Sequence, residues 1–211
     1  MNIKEWWRIS MIYFLFKMIK KMNNLRLKIK LYYYKKLFHM ECKSCGKNPR
    51  IIFPISLKGL NNCKIGDNFK LDYNGIFETW SEHNGKKYTP SIIIGNNVSI
   101  GKRCHIGCIN SIIIDDDVLI GSDVMIIDHN HGLSDFSDLN ISPNQRLLSS
   151  NGEIHICKNV WIGEKVSILS GVIIGENSII GANSVVTHSF PENCIICGNP
   201  AKIIRKVQVD K

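Results

Sequence analysis

The sequence predicts a mainly β fold: a left-handed parallel β-helix of hexapeptide repeats, with an N-terminal basic amphipathic helix and an excursion loop. Three observations predict it. Aliphatic residues recur every six positions from about residue 63 onward; the period breaks once, over about 127–153; and positive charge is concentrated in the first fifty residues.

The period decides the fold. It runs Ile94-Gly95, Ile100-Gly101, Ile106-Gly107, slips by two, and resumes at Ile114-Asp115, Ile120-Gly121 and Ile126. It returns as Ile156, Ile162-Gly163, Ile168, Ile174-Gly175, Ile180-Gly181 and Val186. A small or branched residue falls four positions after many of these, as at Val98, Val118, Val124, Val160, Val166 and Ser184. A period of six matches neither a 3.6-residue helix nor a two-residue strand alternation. It matches a solenoid in which each hexad gives one short strand and one tight turn. Three hexads make a coil of about 18 residues, and coils stack at ~4.8 Å. The aliphatic residues point inward, and Gly, Asp or Asn then suits the turn. Stability comes from stacking, since one coil buries too little alone.

The break is polar and opens on Ile127-Asp128-His129-Asn130-His131-Gly132. A solenoid gains nothing from such an excursion, and long loops on rigid scaffolds often carry function. Histidine moves protons near neutral pH. His129 and His131 are both candidates for a general base, with Asp128 or Asn130 orienting the ring or shaping the loop.

The net charge is +9, yet residues 1–50 hold 13 Lys or Arg against Glu5 and Glu41. Residues 4–38 should be helical, with Trp7, Met11, Phe14, Leu15, Met18, Met22 and Leu25 at three- and four-residue spacing. The longest uncharged run, Ile9 to Phe16, falls far short of the ~20 residues that span a bilayer. Peripheral contact with an anionic membrane and packing on the body or a second subunit both fit such an arm. No nucleic-acid-binding motif is present, so nucleic acid is not expected as a partner.

The eight cysteines include two CxxC pairs, Cys42/Cys45 and Cys194/Cys197, at a separation unlike a zinc ribbon. With no cleavable leader, free structural thiols are expected in a reducing cytoplasm, and no metal. The domains read as an arm at 1–40, a β-helix domain at 41–206 with its loop at about 127–153, and a tail at 207–211.

Asp116 to Val124, Asp128 to Gly132, Lys158 to Gly163 and Gly198 to Arg205 resemble the hexapeptide-repeat acyltransferases. They resemble above all the bacterial sugar O-acetyltransferases of polysaccharide and lipopolysaccharide biosynthesis. The resemblance covers roughly residues 63–206. It implies an O-acetyltransferase that takes acetyl-CoA as co-substrate and acetylates a sugar hydroxyl in a surface polysaccharide or its lipid-linked precursor. It implies a homotrimer with its site between subunits; the basic arm, which lies outside the resemblance, fits a cytoplasmic enzyme working at the inner face of the membrane. The family's catalytic histidine falls on His131, so the resemblance puts His131 first as the general base and His129 second. The family's active-site tryptophan falls on Trp161, its acetyl-CoA contacts on Ala182 and Thr187, and its terminal basic contacts on Lys202 and Arg205. Gly181, beside Ala182, keeps the surface low for a pantetheine arm. A family serine beside the tryptophan motif is Glu164 here, and that contact is not carried over. Competing readings are a xenobiotic (antibiotic) acetyltransferase, a γ-class carbonic anhydrase using His105, His129 and His131, and a non-enzymatic scaffold.

Overall fold

The computed structural model describes residues 3–133, 135 and 137–207, with side-chain surroundings given from Tyr13 onward. Residues 208–211 of the expected tail, and the side chains of Trp7 and Met11, lie outside what is described.

The chain visits three parallel sheets in strict rotation. The first sheet stacks Ser44–Cys45, Cys63–Ile65, Ser91–Ile94, Ser111–Ile114, Ile154–Ile156 and Ile173–Ile174. The second stacks Arg50–Ile51, Lys70–Leu71, Ser99–Ile100, Leu119–Ile120, Trp161–Ile162, Ile179–Ile180 and Cys194–Gly198. The third stacks Ser56–Lys58, Ile76–Thr79, His105–Cys108, Met125–Ile127, Ser167–Ile168 and Val185–Val186. Register keeps each aliphatic residue above its equivalent: Ile94 on Ile114, Ile100 on Ile120, Ile106 on Ile126. These columns are buried and merge into one core. The strand Ala201–Lys206 turns back antiparallel beside Cys194–Gly198.

Turn backbone explains the polar residue types between strands. Asn68, Asn97 and Asp117 take left-handed φ of 58°, 58° and 62°, a conformation Asn and Asp tolerate better than most residues. Their side chains then ladder: Asn68 Nδ2 donates to Asn97 Oδ1 at 2.9 Å, and Asn97 Nδ2 to Asp117 Oδ1 at 2.9 Å.

The N-terminal helix spans Ile3–Glu41, slightly longer than the spacing predicts. Its last turns dock on the first coil. Phe38 is buried in the core cluster with Phe69, and the Tyr34 ring stacks on Phe53 at 3.8 Å between centroids. Between Tyr13 and Ile29 the apolar side chains are exposed. The expected amphipathic character is corrected here: over its whole length the helix has no net apolar side. No described helix is long and apolar enough to cross a membrane.

Two excursions leave the third sheet two coils apart, with the His105–Cys108 strand between them. The one expected from the sequence forms a short hairpin, Asn130–His131 against Leu148–Ser149. The other, Glu82–His83 against Lys86–Lys87, follows Thr79. Tyr88 clamps the two together, its hydroxyl accepting from Leu148 N at 2.9 Å and donating to Leu148 O at 3.1 Å. Asn84 Nδ2 adds a bond to Asn144 O at 2.9 Å.

Candidate active site

Between these excursions and the third sheet lies a pocket of about 240 Å³, lined by Glu78, Trp80, His83, His105, Ile127, His129, His131 and Leu148. Gly107 lies beside two of its histidines. A Cβ there would sit 3.4 Å from His129 Cε1 and 3.6 Å from His105 Nε2, so glycine leaves room for both rings.

The two loop histidines differ in their surroundings. His129 is largely covered, its side chain 11% exposed, and its Nδ1 lies 3.1 Å from Asp128 Oδ1. Asp128 is fully buried where the third sheet ends. Its oxygens accept from Ile109 N at 2.9 Å, Asn110 N at 2.8 Å and the Cys108 thiol at 3.2 Å. Burial, with the Asp128 charge beside it, pushes the Cys108 thiol well above its usual range, so it stays a donor. These bonds fix the carboxylate, and the carboxylate fixes the ring and its tautomer, leaving Nε2 as the basic nitrogen. His131 is exposed on the hairpin, and its ring meets His83 edge-on at 5.6 Å. The family resemblance puts His131 first, whereas the ring oriented by a buried carboxylate is that of His129. Asn130 is exposed, its backbone in register with Ser149.

A second histidine–carboxylate pair shares the pocket: His105 Nε2 lies 3.0 Å from Glu78 Oε1. So His105 and His129 each commit one ring nitrogen to a carboxylate and keep the other for different partners. Glu78, Trp80 and His83 escaped the sequence reading. Their segment precedes the clean run of hexads, and only folding lays it over the loop.

The remaining predicted residues lie elsewhere. Trp161 is on the second sheet, 52% exposed, between Leu119 and Ile179. Lys202 and Arg205 are exposed on the antiparallel end of that sheet, opposite Cys197 and Ile195. Gly181 and Ala182 occupy the turn joining the second sheet to the third. That turn stacks tightly: a Cβ on Gly163 would come within 2.7 Å of Ala182 N. Thr187 is exposed just beyond Val186, its hydroxyl 3.2 Å from His188 Nδ1. Within one chain, then, Trp161, Lys202 and Arg205 do not line the histidine pocket.

Parallel hexad coils interrupted by a histidine-bearing loop define a hexapeptide-repeat transferase. The family model described as bacterial transferase hexapeptide (six repeats) matches residues 153–188. An Escherichia coli K12 relative is 39% identical over 165 residues, covering 76% of this chain and 80% of its own length. Its description, lipopolysaccharide biosynthesis O-acetyl transferase WbbJ, is provisional. The galactoside O-acetyltransferase of the same organism is 38% identical, covering 54% of this chain and 56% of its own length. Among solved structures, a variant of AntD, an N-acyltransferase from Bacillus cereus in complex with dTDP-4-amino-4,6-dideoxyglucose and coenzyme A, superposes with a TM-score of 0.69. It is 23% identical, over 83% of this chain and 89% of its own. The chain belongs to the hexapeptide-repeat acyltransferase family and is an acyl-CoA-dependent acetyltransferase.

Proposed function

We propose that this chain transfers an acetyl group from acetyl-CoA to a hydroxyl of a sugar, in a surface polysaccharide or its lipid-linked precursor. The observation that carries the reading is the buried Asp128 holding His129 at the floor of the pocket. A sugar hydroxyl is too weak an acid to attack a thioester unaided. His129 Nε2 takes its proton as the oxygen attacks the thioester carbonyl, and Asp128 stabilises the imidazolium that forms. The same ring returns the proton to the departing CoA thiolate. A backbone N–H group would stabilise the oxyanion that forms. His131 and His83, at the pocket mouth, serve acceptor contact.

At about 240 Å³ the pocket is smaller than the ~300 Å³ at which complete ligand sites begin. The solenoid, of left-handed coils, is therefore read as a homotrimer in which the Trp161 sheet of one subunit faces the histidine pocket of the next. In that arrangement Gly181, Ala182 and Thr187 flank the pantetheine path, and Lys202 and Arg205 meet the CoA phosphates. The descriptions of the E. coli relative, as a lipopolysaccharide enzyme, and of AntD, with a nucleotide-linked sugar, favour a glycan acceptor. The basic helix suits contact with the anionic inner face of the cytoplasmic membrane. Mass spectrometry of surface glycans with and without the gene tests this: an acetyl increment lost on deletion and restored by wild type supports it, and unchanged glycans refute it.

A further inference from the structure

The corner where the chain leaves the first sheet is a column of small residues. Gly46, Gly66, Gly95 and Gly175 each directly follow a strand of that sheet. Two successive coils depart from the pattern, with Asp115 after Ile114 and Cys157 after Ile156. Ile114 and Ile156 are in register, so the two replacements stand one above the other. His155, facing outward from the same strand as Ile156, completes a group: His155 Nε2 lies 3.0 Å from Asp115 Oδ2. The thiol, imidazole and carboxylate ligand atoms all fall within 4.8 Å of one another. All three residues are half-buried, open enough for an ion to enter.

We propose that Asp115, His155 and Cys157 form a binding site for a divalent cation of the zinc class, separate from the histidine pocket. Thiolate, imidazole and carboxylate together make a borderline-soft donor set, which suits Zn2+ and excludes Mg2+ or Ca2+. The His155–Asp115 separation is close to the ~3.4 Å edge of a tetrahedron with bonds near 2.1 Å. Water completes the fourth position.

The location gives the site a consequence. Asp115 and His155 are 40 residues apart in sequence, and the whole histidine loop lies between them. A bound ion would staple the coil that enters the loop to the coil that leaves it, adding binding free energy to the folded state.

The test uses the full-length, reduced, metal-stripped protein. Co2+ titration should produce a thiolate charge-transfer band, and Zn2+ should displace it and raise Tm. Cys157→Ser should abolish the band, and His155→Ala should weaken binding by about tenfold or more. Melting curves without metal establish that each variant folds, and Asp115→Asn is the substitute if Cys157→Ser does not. A band that survives Cys157→Ser places the ion elsewhere, at Cys42/Cys45, and overturns the proposal. A wild-type Tm indifferent to Zn2+ overturns it equally.

Discussion

Asp128 Oδ1 meets His129 Nδ1 at 3.1 Å, while two backbone N–H groups and the Cys108 thiol hold the same carboxylate in place. The relationship separates two histidines only two residues apart. One is anchored over the floor of the pocket, and the other rides on an exposed hairpin.

The first prediction is a ranking. His129→Ala should lower turnover by ~10²–10⁴-fold with acetyl-CoA affinity nearly unchanged, as for a lost general base. His131→Ala should cost less and act mainly on acceptor KM. Asp128→Asn should lower turnover as well, through the wrong tautomer. Steady-state kinetics on the three variants decide it. An inactive His131→Ala beside an active His129→Ala would return the role of base to His131.

The second concerns assembly. Light scattering should give about three times the 24.0 kDa chain mass. Because Trp161 lies on the second sheet and His129 just beyond the third, co-expressed His129→Ala and Trp161→Ala chains should regain part of the activity each lacks alone. Absence of complementation would mean that the wall and the base belong to one subunit.

The third concerns the cofactor end. Lys202→Ala with Arg205→Ala should weaken acetyl-CoA binding by about 1–3 kcal/mol, the range for charged hydrogen bonds. Turnover at saturating acetyl-CoA should hardly change, since these contacts persist from ground state to transition state. Calorimetry together with kcat measures the split.

The fourth concerns the helix. Phe38 is 1% exposed in the core, so the arm is not all dispensable. Removing residues 1–30 should leave Tm nearly unchanged and reduce binding to anionic vesicles, most visibly at low salt. Phe38→Ala should cost on the order of 3–5 kcal/mol, as for a core phenylalanine. Equal vesicle binding by the truncated chain would end the membrane reading.

The fifth concerns alkaline pH. Burial pushes the Cys63 thiol from 9.0 up to about 12 and the Cys104 thiol up to about 11. Both groups are neutral when protonated, and the folded state favours that form. Their stabilisation is complete below pH 9.0 and is lost as pH rises toward those raised values. Melting temperature should therefore fall between about pH 9 and pH 11, and Cys63→Ala should flatten the fall even while lowering stability overall.

The solenoid was legible because its rule is local. A six-residue period writes itself into every coil, and Ile94, Ile114 and Ile156 stack in register as that period requires. The first coil, Ser44 to Lys58, falls inside the domain expected at 41–206, but its hexads were not legible, since the residues it turns toward the core include the partly buried Cys45 and Leu57 rather than a run of isoleucines. The helix was legible as a helix, but its docking was not, because that depends on Phe38 and Tyr34 meeting Phe69 and Phe53.

At the site, the sequence by itself determined that a histidine loop interrupts the repeat, and which residues it carries. Spacing along the chain could not separate His129 from His131, because the difference lies in what surrounds each ring. Only the tertiary structure decided that. Asp128 is fixed by donors from residues 108–110, one coil earlier, and Glu78, Trp80 and His83 reach the loop from a coil earlier still. A solenoid stacks residues about 20 positions apart within one strand spacing, so its pockets are built across coils, where a period of six leaves no mark.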